Sequence, residues 1–200
     1  MKQLQWVDLS AAPTGGERLV HLSSPDDARW AGLHRLAPFD RLSLAAATRQ
    51  DVYLIQGQLQ ERASAHTAGA FFSRCAALTL TAGPQGAVFF MYRDASLRSS
   101  GLESWASHEL DWQAGAVPGM AVAPLSRMHH RLALVSWQAG TRAAAHTHPF
   151  GEEILVLSGE LRDERGAYTT GRWLRFPPGS GHAPYAEQAT LILLRNGHLG

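Results

Sequence analysis

Laid over itself with an offset of 102 residues, the chain matches without a gap from Asp51 to Arg93. Gly57 falls on Gly159, Leu59 on Leu161, Ala65 on Ala167, Thr67 on Thr169, Gly69 on Gly171, Ala87 on Ala189 and Arg93 on Arg195. The apolar runs coincide too: Val52-Tyr53-Leu54-Ile55 with Ile154-Leu155-Val156-Leu157, and Phe89 to Tyr92 with Leu191 to Leu194. Trp6 and Trp112 form a more distant pair. Self-similarity at a fixed period binds the two halves to one architecture. Whatever the first half folds into, the second must fold into as well.

That architecture reads as all-β. Short apolar runs recur at Leu19-Val20, Leu132 to Val135 and the four stretches above, each bounded by Gly, Pro, Asp or Ser. No long stretch carries a 3.6-residue period, so a sandwich or barrel is expected. The repeated strands are apolar on both faces. Glu152, Ile154 and Val156 share one, Glu153, Leu155 and Leu157 the other, so each strand needs cover on two sides. A homodimer is one way to supply it. The stretch from Asp94 to Gly119 carries Trp105 and Trp112 and is expected to pack as a connection.

Composition narrows the partners. Apolar residues make up 45% and charged residues 18%, as in an ordinary globular protein with a core. A net charge of +1 points to neither nucleic acid nor an anionic membrane surface. There is no apolar run long enough to span a bilayer and no signal-peptide pattern at the start, so a cytoplasmic location is expected. Cys75 is the one cysteine, which excludes a disulfide framework and a cysteine-based zinc module. Its apolar neighbours suggest a small core residue.

Metal-ligand side chains gather in the second half. His146 and His148 are two apart, so on a strand both point to one face. Glu152 lies an even number further on, past the Pro149-Phe150-Gly151 bend. His182 follows the Asp163-Glu164-Arg165-Gly166 turn and the Pro177-Pro178-Gly179 corner, where a later antiparallel strand can bring it back. Three imidazoles and a carboxylate suit one borderline divalent ion per chain: zinc, iron, manganese, nickel or copper. The 102-residue offset puts Leu44, Ala46, Gln50 and Leu80 at these four positions in the first copy. None is a good ligand, so that copy is expected to keep the fold and lack the site. His129-His130 are adjacent and would face opposite ways on a strand. Glu153 faces away from Glu152.

The segments Gly140 to Gly159 and Gly171 to His182 resemble the two signature motifs of the cupin superfamily. The second motif departs at its end, with Ala186 where Asn is usual. The run Gly151 to Leu161, with Pro177 to Pro184 after it, is similar to the ChrR-type cupins. That family includes the C-terminal domain of certain anti-sigma factors and acetylacetone dioxygenase-like proteins. The resemblance implies two tandem cupin barrels of the jelly-roll, double-stranded β-helix type. Residues 1–98 would form a degenerate copy and 99–200 the metal-binding one. It implies a metal-dependent, dioxygenase-like enzyme acting on a small oxygen-rich molecule. The alternative is a non-catalytic ligand- or metal-binding, stress-sensing cupin. A sigma-factor partner is not expected, because the sigma-binding part of those anti-sigma factors is a separate zinc domain with His and Cys ligands. Arg142, Phe150 and Tyr185 are the candidates for the pocket around the metal: Arg142 by strand parity, Phe150 and Tyr185 by nearness to the ligands.

Overall fold

The structure, a computed structural model, describes residues 19–45, 49–95, 103–126 and 131–200. Trp6, Ala46 and His129-His130 lie outside the described residues. The chain divides into two compact units, the first ending at Leu110 and the second running from Asp111 to Gly200.

In the first unit the strands are β1 (Leu19–His21), β2 (Arg29–Leu36), β3 (Arg41–Leu44), β4 (Arg49–Glu61), β5 (Ser64–Thr67), β6 (Phe71–Arg74), β7 (Leu78–Asp94) and β8 (Glu103–Trp105). They form one antiparallel sheet in the order β1-β2-β7-β4-β6-β8, with β3 on β7 and β5 on β4. A single 3-10 turn follows at Ser107–Glu109. The second unit contains β9 (Gln113–Ala114), β10 (Met120–Pro124), β11 (Arg131–Trp137), β12 (His146–His148), β13 (Glu152–Ser158), β14 (Glu160–Asp163), β15 (Gly166–Thr169), β16 (Trp173–Phe176), β17 (Ser180–His182) and β18 (Thr190–Asn196). Six of these make a sheet in the order β16-β13-β18-β11-β10-β9, while β12 pairs with β17 and β14 with β15. There is no α-helix among the described residues, and no helix is long and apolar enough to cross a membrane.

The repeat is legible element by element. At the offset of 102, β5 and β6 land end to end on β15 and β16. The β2–β7 ladder opens with Arg29 opposite Asp94, and the β11–β18 ladder with Arg131 opposite Asn196, the same pairing shifted by the repeat. Both copies slip register at the same place, between Leu54 and Gln56 and between Val156 and Ser158. An extra residue there bends the strand and increases its twist. Just beyond lies a glycine in the left-handed region in each copy, Gly57 at φ 82 and Gly159 at φ 78. A Cβ on Gly57 would stand 2.1 Å from the Gly86 carbonyl oxygen, and one on Gly159 2.3 Å from that of Ala189. Only glycine fits either turn.

Each unit has its own apolar core. Val135, Trp137, Ile154, Val156, Leu174 and Ile192 belong to one cluster in the second unit. Leu155 and Leu193, on the other face, are buried as well, as expected for strands apolar on both faces. Each such side chain contributes roughly 1.5–3 kcal/mol relative to exposure. In the first unit Leu80 is fully buried and Leu44 packs partly buried against the same cluster. Gln50 is buried and donates from Nε2 to the Ala76 carbonyl at 3.1 Å. Cys75 is half-buried and not in the core, because it follows the last residue of β6. Trp105 pairs through β8 with Phe71, whereas Trp112 is exposed.

Candidate metal centre

Three histidines converge at the mouth of the second barrel. His146 and His148 sit at the two ends of β12, and β17 brings His182 directly opposite His146. One nitrogen from each lies within 4.8 Å of the others. The Gly151 N–H donates to the His148 carbonyl at 3.1 Å, which closes the bend at Pro149 and Phe150. That turn delivers Glu152, the first residue of β13, to the same space. Its Oε2 is 3.4 Å from His148 Nδ1 and its Oε1 3.5 Å from His182 Nε2.

Neighbouring acceptors decide which ring nitrogens keep a lone pair. His146 Nδ1 lies 2.9 Å from the Ala144 carbonyl oxygen, which can only accept, so the proton sits on Nδ1 and Nε2 is left as donor atom to an ion. His182 Nδ1 lies 3.3 Å from Asp163 Oδ2, with the same consequence. Asp163 is itself fixed: the Arg165 backbone N–H and the Tyr168 hydroxyl both donate to its Oδ1, at 2.7 and 2.8 Å. Burial works to raise the Asp163 carboxyl, but His182, the Arg165 N–H and Tyr168 outweigh it and hold it below its ordinary value. Phe176 packs on the His182 and His148 rings, at centroid distances of 4.6 and 5.8 Å.

The chemistry of the donor set fits a cation. His148 is buried, and neither of its ring nitrogens makes a hydrogen bond; the approach to Glu152 has the distance but not the alignment. A buried polar group left this way is costly unless something else satisfies it. Burial, helped by His182 and His146, lowers His148 to about 4, so the imidazole is neutral at pH 7. Burial likewise pushes Glu152 up to about 8. A positive charge among these groups would reverse that preference and ionise the carboxyl. Asn196 Nδ2 also reaches Glu152 Oε2, at 3.4 Å.

His146, Glu152 and His182 open into a cavity of about 540 Å³. Arg142, Phe150 and Tyr185 are not among its lining residues. Arg142 stacks on the Tyr185 ring with its guanidinium carbon 4.4 Å from the centroid, and the two residues bridge through their backbones. Phe150 is exposed on its turn. Glu153 does face away from Glu152: it is fully buried, accepts from Arg175 Nε and lies 3.2 Å from His198 Nε2. Sequence reasoning missed Asp163, which looked like a turn residue. The signal was present in the repeat, where the same offset places the acidic Glu61 on Asp163.

The first copy treats that carboxylate differently. Arg74 stands at the position of Phe176, and its Nε and Nη2 donate to the two Glu61 oxygens at 2.8 and 2.7 Å. His66, at the position of Tyr168, brings Nε2 to 3.5 Å from Glu61. A bidentate ion pair thus occupies the place where the second copy orients a histidine.

Two antiparallel barrels, one of them with a mouth lined by histidines, define a tandem cupin, and solved structures share that fold. Protein Ylba from E. coli superposes with a TM-score of 0.73 at 13% identity, over 96% of this chain and 89% of that one. Oxalate decarboxylase from Lactobacillus farciminis, solved as a formate complex, gives 0.70 at 12%, over 98% and 86%. Salicylate 1,2-dioxygenase from Pseudaminobacter salicylatoxidans gives 0.69 at 12%, over 94% and 79%. At these identities the likeness concerns the fold. No curated protein matches the chain. Residues 103–200 match the ChrR Cupin-like domain family.

Proposed function

We propose that the second barrel holds one divalent metal through His146, His148, Glu152 and His182, and that the chain is a metal-dependent, dioxygenase-like enzyme acting on a small molecule with oxygen donors. In this reading residues 1–98 are a copy without metal ligands and 99–200 carry the site. The observation that carries the proposal is the convergence of three imidazoles, one of them buried with both nitrogens unbonded and the other two lining a cavity large enough for a small molecule. A bound ion of this kind supplies Lewis acidity and open positions for oxygen donors. The chain's own residues do the rest. Asp163 and the Ala144 carbonyl set the tautomers of His182 and His146, Phe176 holds two rings in place, and apolar side chains line the cavity beside them. The names of the neighbours, a decarboxylase and a dioxygenase, favour turnover. The family match favours a second reading, a regulatory cupin that binds a ligand without converting it. Purification without a metal-binding tag, followed by elemental analysis, tests the site: about one ion per chain is expected, and none in His146→Ala/His148→Ala. Undiminished metal in that double variant would contradict the assignment. Oxygen uptake with chelating oxygen compounds separates enzyme from sensor. Homodimer formation is read by sedimentation, and a cytoplasmic location by cell fractionation.

A further inference from the structure

The walls of the metal-site cavity are almost all carbon. Val122, Val135, Ile154, Leu161, Ile192 and Leu194 set its character, and its polar side chains apart from Trp137 are His146, Glu152, His182 and Asn196. No lysine or arginine lines it among the described residues. Two arginines that flank the motifs in sequence are engaged elsewhere. Arg142 lies on Tyr185, and Arg165 pairs with Glu164 at 2.6 Å and donates from Nη2 to the Gly181 carbonyl at 2.8 Å. A ligand carboxylate placed away from the ion would meet carbon on most sides and a Glu152 carboxylate on another. Burying such a charge unpaired is strongly unfavourable.

We propose that this cavity takes an uncharged, largely apolar molecule carrying one small oxygen-bearing end, and that it rejects small dianions. The inference rests on the metal-site reading, since the oxygen-bearing end is the part that would meet the ion. The polar groups cluster at the histidine end and the remaining walls offer only dispersion and burial. Affinity should therefore grow with the apolar part of the ligand and not with its charge.

Titration calorimetry on the full chain tests this with a series of neutral hydroxyketones, 3-hydroxybutan-2-one, 4-hydroxyhexan-3-one and 5-hydroxyoctan-4-one, against oxalate and 2-hydroxyoctanoate. Affinity is expected to rise about fourfold for each methylene that becomes buried. Both carboxylates are expected to bind at least about tenfold more weakly than the longest hydroxyketone. A series flat in chain length, or either carboxylate binding as tightly as 5-hydroxyoctan-4-one, would overturn the proposal. Elemental analysis of the same samples separates it from the metal assignment. Protein that contains no metal yet follows the neutral series keeps this inference and loses the metal site. Protein that contains metal and prefers oxalate does the reverse.

Discussion

At His182 a carboxylate on another hairpin decides which ring nitrogen carries the proton. Asp163→Asn keeps the shape of that partner and removes its charge. Metal affinity should then fall about 10–100-fold, as losses of such outer partners do. Chelator competition reads this, with a thermal melt to show that the barrel still folds; unchanged affinity would mean that the ring needs no carboxylate. The positions of His146, His148, Glu152 and His182 were legible in the sequence because strand parity and turn residues are local signals. Asp163 was not, because it meets His182, 19 positions further along the chain, through a hairpin that no local pattern aims. Arg142 shows the limit of parity. Alternation gives a face, but the stack on Tyr185 settles where the guanidinium goes.

Turns and ladders carry the next scale. Gly159→Ala combines left-handed strain with a clash, since its Cβ would stand 2.3 Å from the Ala189 oxygen. Gly140→Ala adds only strain, as nothing lies within 4 Å of its Cβ at φ +85. Strain of this kind costs about 1–3 kcal/mol. Urea unfolding should show a distinctly larger loss for Gly159→Ala; equal losses would mean that the turn relaxes freely. In the first unit Arg74→Leu leaves Glu61 buried without its guanidinium and should destabilise by about 3–5 kcal/mol, and adding Glu61→Leu should restore most of it. No recovery in the double variant would place the effect in packing instead. The repeat and most strands could be read from the chain because glycines mark tight turns at the same offset. The break that divides β17 from β18, where β7 runs on unbroken, could not. It depends on pairing partners far away, Arg162 and Arg142 with Tyr185.

Across the whole molecule, three buried histidines tie stability to acidity. Burial, with smaller contributions from neighbouring charges, lowers His34 and His148 to about 4, and at His198 it outweighs the opposing pull of Glu153 to the same end. An unfolded histidine titrates near about 6.5. Between these values the unfolded chain binds more protons than the folded one, so acid favours unfolding. The melting temperature of metal-free protein should fall as pH drops from about 6.5 towards 4, where the three histidines outweigh the opposing Glu152; that carboxyl, pushed up to about 8, makes stability ease off again as pH rises from 6.5 towards 8. His34→Phe should make the acid-side slope shallower, and a melting temperature flat on that side would refute the linkage. At neutral pH, an ion at a hundredfold excess over its Kd adds roughly 2.7 kcal/mol, so chelation should lower Tm by several degrees without unfolding the chain. The guanidinium of Arg74 casts that loss in a different light. In the proposed reading one copy borrows its positive charge from the surroundings, while the other carries one on the Arg74 side chain and keeps it through any shortage. Scarcity of metal in the cell would therefore silence one half of the chain and leave the other half indifferent.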